Sequence, residues 1–267
     1  MELRDVIGRR RSVRFLLPHK PVELDKIQRM LEAARIASHW GNVNSLRAVV
    51  VERDKAPKDL FEILSHTIGG YQTQLAPIVI VWYIETAATN GLGTRLRELV
   101  NVGAIGYGPN KKTAMENTII PNMERAGVAL KQPGMGEIDC GQGIAQATLM
   151  AFEQGLGTCC LGAFDLDRIR RTLGLPDTCR VLLSQTVGYP AEDPRAGGQR
   201  PRLPFEDLFQ LNGYDHPFPR NPRVVEELRG DGMLQEPAPL PWREAELEYL
   251  RRALDLKGEG LVPSDQR

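Results

Sequence analysis

Apolar residues recur along the chain in two periods, and each period predicts a different kind of element. Leu24, Ile27, Leu31, Ala34 and Ala37 follow three- and four-residue spacing, which predicts an amphipathic helix after a bend between Pro18 and Pro21. The next block, 46–52, is rich in valine and predicts a buried strand. Residues 57–67 predict a helix closed by Gly69 and Gly70, and 76–84 form a nearly continuous apolar run. A run without alternation is covered on both faces, so this strand is expected inside a sheet. Between 86 and 136 the pattern loosens. Gly91, Gly93, Gly103, Gly106, Gly108, Pro109 and Pro133 break the segment into short helical pieces, the expected form of a lid, a binding loop or a surface excursion.

Order returns at Asp139. Gly143, Ala147 and Ala151 fall four apart on one helical face, where small side chains let another backbone approach closely, at the centre of a fold or at a dimer seam. Gly155 and Gly157 end that helix. A strand over 158–164 follows, then a helix capped by Asp165 or Asp167 and closed by Gly174 and Pro176, then a strand over 180–189 ending in Gly188-Tyr189-Pro190. Residues 194–202 form a polar loop carrying Arg195, Arg200 and Arg202. The composition then shifts, with Pro217, Pro219, Pro222, Pro237, Pro239 and Pro241 preceding a last amphipathic helix near 243–254. This pattern divides the chain into a domain over 1–212, with its irregular segment 86–136, and a proline-rich extension over 213–267. Prolines favour extended runs, so the extension is expected to wrap over a surface.

Composition narrows the function classes. The 267 residues are 42% hydrophobic and 25% charged, as in ordinary globular proteins. Lys and Arg number 34 and Asp and Glu number 34, so there is no basic field to draw in nucleic acid. The longest apolar run, 75–84, is too short for a bilayer and contains Pro77. The charged N-terminus lacks the apolar core of a signal peptide, and the expectation is a cytoplasmic protein without membrane or nucleic-acid partners. Cys159 and Cys160 lie in an apolar run without a C-x-x-C and are expected to be buried thiols of a strand. His19, His39, His66 and His216 lack ligand spacing, and no metal site is expected.

Against this neutral background the run Arg9-Arg10-Arg11-Ser12-Val13-Arg14-Phe15 stands out. Guanidinium presents a planar fork of donors that matches phosphate oxygens, and a serine hydroxyl adds another donor. The run reads as a phosphate clamp, or else as a solvated basic turn or a nucleic-acid arm, which the charge balance disfavours. The loop Ala37-Ser38-His39-Trp40-Gly41-Asn42-Val43-Asn44 falls between a helix and a strand, where side-chain amides can face a ligand.

Four pieces in order resemble the nitroreductase family of FMN-dependent flavoproteins over about 6–208. They are Arg-Arg-Ser-x-Arg, the Gly-Asn-x-Asn loop, Gly155-Leu156-Gly157-Thr158 with Gly162, and Gly-Tyr-Pro followed by Arg200-x-Arg202. The resemblance implies an α+β fold with a central, mainly antiparallel sheet flanked by helices, in an intertwined homodimer with two interfacial FMN sites. By position, Arg10, Arg11 and Ser12 match residues that bind the FMN phosphate and ribityl chain, and Arg200 and Arg202 match basic positions of the same phosphate site. Arg14 matches a basic residue at the N1 and C2 carbonyl edge, where a cation stabilises the anionic reduced flavin. Ser38, His39 and Asn42 match a loop contributed across the dimer. Leu161, Gly162 and Ala163 match the segment whose backbone passes flavin N5, so that no side chain is expected to be catalytic. The sequence also departs from the family. Ser38-His39 stands where Pro-Ser is usual, Trp40 adds bulk, and no basic residue lies between Gly69 and Leu75 to share the charge at N1 with Arg14.

The resemblance implies ping-pong hydride transfer from NADH or NADPH through FMN to a nitroaromatic, a quinone or a related small acceptor. A reductive dehalogenase, a flavin-dependent dehydrogenase and a non-enzymatic flavin-binding module are the alternatives on the same scaffold.

Overall fold

The computed structural model describes residues 2–260. Its strands are β1 (Leu46–Glu52), β2 (Ile78–Glu85), β3 (Gly157–Leu161) and β4 (Cys179–Gly188). They form one sheet in the order β1-β2-β4-β3, with every neighbouring pair antiparallel. In chain order the helices are α1 (Leu3–Arg9), α2 (Leu24–Arg35), α3 (Lys58–Ser65), α4 (Tyr71–Leu75), α5 (Leu92–Asn101), α6 (Lys111–Ala114), α7 (Ile120–Gly127), α8 (Met135–Glu153), α9 (Leu166–Thr172), α10 (Phe205–Leu208), α11 (Pro222–Gly230) and α12 (Arg243–Ala253). The architecture is α+β, with a mainly antiparallel sheet between helices, as expected.

Strand β2 divides the protein into two cores because successive side chains leave a strand on opposite faces. Ile78, Ile80 and Trp82 pack with Ile27, Met30 and Ala34 of α2 and with Ile144, Ala147 and Ala151 of α8. Val79 and Val81 face the other way, against Leu60 and Leu64 of α3, Ile169 of α9 and Leu250 of α12. Both faces are covered, which is why its sequence shows no alternation. A Cβ on Gly143 would run into Leu46 and lie 3.1 Å from the Ala34 carbonyl oxygen, so the small-residue stripe of α8 seats that helix at the centre of the fold. Trp82 Nε1 donates to Gln185 Oε1 at 2.8 Å, and Gln185 Nε2 donates to Thr148 Oγ1 at 2.9 Å, which satisfies the polar groups buried between the sheet and α8.

Three expectations need correction. The segment 86–136 is more helical than its glycines suggest, and Val43, Leu92, Leu96, Val100, Met115 and Ile120 give it a small core of its own. Gly93 lies inside α5, where a Cβ would come 2.9 Å from Glu124 Oε1 and 3.3 Å from Ile120 Cγ2. The residue permits close packing of α5 on α7 and does not break the helix. Strand β3 ends at Leu161, so residues 162–164 leave the sheet. Cys159 is buried but Cys160 is exposed, because β3 is an edge strand and its adjacent residues face opposite ways.

The C-terminal part meets α1 through ion pairs of Arg4 with Glu227 and Asp231, and docks on the body in two further places. Residues 236–240 run beside 197–199, with Gln199 N–H donating to the Glu236 carbonyl and Leu240 N–H to the Gly197 carbonyl, both at 2.9 Å. Helix α12 then lays Leu250, 2% exposed, into the core on the Val79 face. Residues 201–221, which precede these contacts, are almost all exposed: Phe209 and Phe218 each pack on Phe205, while Leu203, Leu211 and Tyr214 are open to solvent. Leu250→Ala is expected to cost about 2–5 kcal/mol in urea denaturation, the range for a truncated core leucine. A change below about 0.5 kcal/mol would show that α12 lies outside the cooperative core.

Candidate functional site

The arginine-rich run leaves α1 and becomes an extra edge beside the sheet. Ser12 bridges Thr158 of β3 in parallel, and Val13 N–H donates to the Thr158 carbonyl at 3.0 Å. Farther on, Leu17 N–H donates to the Tyr189 carbonyl at 2.9 Å and Ala191 N–H to the Phe15 carbonyl at 2.8 Å. A Cβ on Gly157 would lie 2.8 Å from Val13, so glycine is what lets the two segments close up. Extended pairing imposes alternation. Arg11, Val13 and Phe15 turn inward, whereas Arg10, Ser12 and Arg14 remain partly exposed on the other side.

Arg11 is thereby separated from its neighbours in role. It is 5% exposed, and its guanidinium donates to the Gly198 carbonyl at 3.3 Å, the Gly8 carbonyl at 2.5 Å, the Arg10 carbonyl at 2.9 Å and Gln235 Oε1 at 2.9 Å. Four of its five N–H donors are used on the protein, and it braces α1, the 198 loop and the C-terminal part from beneath.

Arg14, Arg200 and Arg202 have one carbonyl contact each, to Ser12 at 3.2 Å, Gly198 at 3.4 Å and Pro201 at 3.0 Å. Among the described residues, neither these three nor Arg10 forms a salt bridge. All five arginines nevertheless share one field. Burial lowers the basicity of Arg11, and the positive charges of Arg10, Arg200 and Arg202 lower it further. Burial lowers Arg200 as well, with Arg14 and Arg243 adding to the effect. Two stretches far apart in sequence therefore meet in a cationic cluster with little compensation inside the protein, which is an attractive place for an anion.

The cluster continues along the β3 edge. The Ser12 hydroxyl lies against the Cys159 thiol, which burial pushes up in pKa while Arg14 and Ser12 pull it down. Arg14 also faces Tyr71, whose hydroxyl is pushed up to about 12, chiefly by burial, and whose ring packs 5.5 Å from that of Phe15. Leu161 is buried, Ala163 is half-buried, and Gly162 between them is exposed, with nothing within 4 Å of where a Cβ would stand. The Gly162 carbonyl accepts a hydrogen bond from Thr67 Oγ1. Residues 158 to 162 span about 13 Å of extended chain. The site is thus a cationic end joined by a short edge to an open stretch of backbone.

Ser38, His39 and Asn42 are placed elsewhere. Gly41, Asn42 and Asn44 have φ of 55°, 55° and 54°, a left-handed turn that asparagine tolerates, and Asn44 Nδ2 donates to the Asn42 carbonyl at 2.6 Å. Trp40 N–H donates to Asp139 Oδ2 at 2.8 Å, which ties the loop to α8. Ser38 is exposed, and the half-buried His39 has no hydrogen-bond partner for its buried Nδ1 among the described residues. Burial lowers the His39 pKa, Arg47 adds to this, and Asp139 opposes it. The loop leads into β1, whereas the arginines line β3 at the opposite edge, three strand spacings or about 14 Å across the sheet. One chain therefore does not bring this loop to its own arginine cluster.

The residues that sequence reasoning missed are Thr67, Glu192 and Arg243. Glu192 has a fully buried side chain. Its Oε1 accepts from the backbone N–H groups of Arg14 at 2.5 Å and Phe15 at 3.1 Å, and its Oε2, which has no aligned hydrogen-bond donor among the described residues, is paired by charge with Arg243 Nη1 at 2.7 Å. Glu192 directly follows Gly-Tyr-Pro-Ala, a position that marks it only once its distant partners are known.

Comparison with known proteins agrees with this architecture. Residues 7–189 match the Nitroreductase family. An NADH dehydrogenase of Thermus thermophilus is 31% identical over 204 residues, covering 74% of this chain and 90% of that protein. An NADPH-dependent oxidoreductase of Staphylococcus aureus is 26% identical over 212 residues, covering 79% of this chain and 73% of that protein. Among solved structures, a protein of Exiguobacterium sibiricum assigned as a nitroreductase, in complex with FMN, superposes with a TM-score of 0.64 at 21% identity, covering 79% of this chain and 98% of that one. The family match runs unbroken from α1 to the end of β4, through the arginine-rich edge and the whole sheet, and the chain belongs to the nitroreductase family.

Proposed function

We propose that the protein is an FMN-dependent NAD(P)H oxidoreductase acting as a homodimer, with the arginine cluster on the β3 edge as its flavin phosphate site. The observation that carries this reading is the convergence of Arg10, Arg14, Arg200 and Arg202 without acidic salt-bridge partners among the described residues, beside the open backbone of Gly162. Bound FMN supplies hydride transfer from NADH or NADPH to a nitroaromatic, a quinone or a related small acceptor, in ping-pong order. Arg10, Ser12, Arg200 and Arg202 hold the phosphate through charge-assisted hydrogen bonds, and Arg11 fixes the backbone beneath them. Arg14 supplies a positive charge that favours the anionic reduced ring. The absent side chain at Gly162 leaves room for a planar ring to lie against the Leu161–Ala163 backbone. Binding, orientation and electrostatics are what the chain contributes, and no side chain serves as nucleophile or metal ligand.

The separation of the two parts of the site supports the dimer. Ser38, His39 and Asn42 reach an arginine cluster only if it belongs to a second copy, and the unpartnered His39 Nδ1 is then available to that copy's ligand. The exposed residues 201–221 favour the same reading, since Leu203, Phe209 and Tyr214, the last 95% exposed, leave apolar surface in water on a lone chain.

The purified protein is expected to carry or take up FMN, and anaerobic titration with NADPH or NADH is expected to bleach its visible absorbance. Protein that neither contains nor binds FMN would refute the assignment. Arg202→Ala is expected to raise the FMN Kd about tenfold or more, the worth of one charge-assisted bond, whereas Arg14→Gln is expected to lower the midpoint potential of the bound flavin with a smaller effect on affinity. Sedimentation is expected to give a dimer, and the pair Phe209→Asp and Tyr214→Asp is expected to weaken it.

A further inference from the structure

Glu192 and Arg243 place a buried charge pair beneath the cationic cluster. The Glu192 side chain is 0% exposed and that of Arg243 is 11% exposed. Arg243 comes from α12, beyond the stretch that matches the family. Its guanidinium is held from several sides, by Glu192 at 2.7 Å, by Glu246 at 2.8 Å and over the Phe15 ring at 5.9 Å. Gly197 leaves it room, since a Cβ there would lie 2.8 Å from Arg243 Cδ.

Glu192 shares its surroundings with other cations. Its carboxylate accepts the backbone N–H of Arg14 at 2.5 Å, acts together with the Arg14 guanidinium on Tyr71 and Cys159, and is felt by Arg200. A buried carboxylate stripped of its cation is strongly destabilising and recruits a replacement or a proton. Arg14 and Arg200 are the replacements that the cationic cluster itself offers. Each is only partly buried and held by one long carbonyl contact, at 3.2 and 3.4 Å, so each is free to turn inward. A guanidinium turned onto Glu192 no longer presents its charge to a ligand on the β3 edge.

We propose that Arg243 is a positioning residue for the cationic site: by occupying Glu192 from the C-terminal helix, it keeps Arg14 and Arg200 free for an anionic ligand. The proposal rests on the reading of that site as the FMN site. It makes the C-terminal extension part of cofactor binding through a charge it neutralises, with no contact to the cofactor required.

The test compares the wild type with Arg243→Met, Arg243→Lys and the double variant Glu192→Gln with Arg243→Met. FMN affinity is measured by flavin fluorescence quenching, the midpoint potential of bound FMN by dye equilibration, and folding by far-UV circular dichroism. Arg243→Met is expected to weaken FMN binding at least tenfold and to lower the potential, as Arg14 is drawn away from the ring. Arg243→Lys keeps the charge and is expected to stay within about threefold of wild type. The double variant has no orphan carboxylate and is expected to recover both affinity and potential. Wild-type behaviour of Arg243→Met overturns the proposal, and so does a folded double variant as weak as the single one, which would mean that Arg243 acts through packing alone. Should Arg243→Met fail to fold, the double variant decides, since it is required to fold and bind FMN like wild type. A wild type that binds no FMN defeats the functional reading as well, whereas a wild type that binds with unaffected variants defeats only this one.

Discussion

The pairing of the N-terminal run with β3 is the constraint from which most of the site follows. Once Val13 N–H is bonded to the Thr158 carbonyl, the pleat decides which arginines face inward. Arg11 is buried by that geometry and has to be satisfied, because an unpartnered buried guanidinium is prohibitively costly. Its satisfaction requires carbonyls from Gly8 and Gly198 and the side chain of Gln235, which fixes the end of α1, the 198 loop and the C-terminal part together. The position of the 198 loop in turn brings Arg200 and Arg202 beside Arg10 and Arg14.

The order of strands has a second consequence. The sheet holds its two ligand-facing candidates apart, the arginines on the β3 edge and the Ser38–Asn42 loop beside β1. The helices of both cores cover its faces, which leaves the edges as places where a second polypeptide or a cofactor can add. The chain thus keeps a complete core of its own while its two ligand-facing candidates lie at opposite edges.

Much of this was legible in the sequence, and the exceptions have physical causes. The unbroken apolar run of β2 and the small-residue stripe of α8 encode burial directly and appear where they were expected, whereas the Val-rich β1 forms as a strand but, at the sheet edge, buries only Val51. Gly93 misleads because a glycine that allows two helices to touch looks the same in sequence as one that ends a helix. The arginine run is visible as charge, but separating Arg11 from Arg10 requires the phase of a pairing set by Gly157, a long way downstream. Cys160 is apolar by composition and exposed by position, since nothing local tells an edge strand from an inner one. Glu192 and Arg243 were illegible for a similar reason: each looks like a surface charge until the fold joins them.

The bond between Arg11 and Gln235 also bears on how the molecule is made. A ribosome delivers Arg11 224 residues before Gln235, so over that whole stretch of synthesis the arginine run has neither the brace at Gln235 nor Arg243 of α12 over Phe15. Contacts of such long sequence separation are entropically expensive to close and form late. The cationic edge is therefore assembled at the end of folding, and a chain interrupted before α12 exposes a charged, unclosed segment beside an unprotected strand, the kind of surface on which misassembly begins.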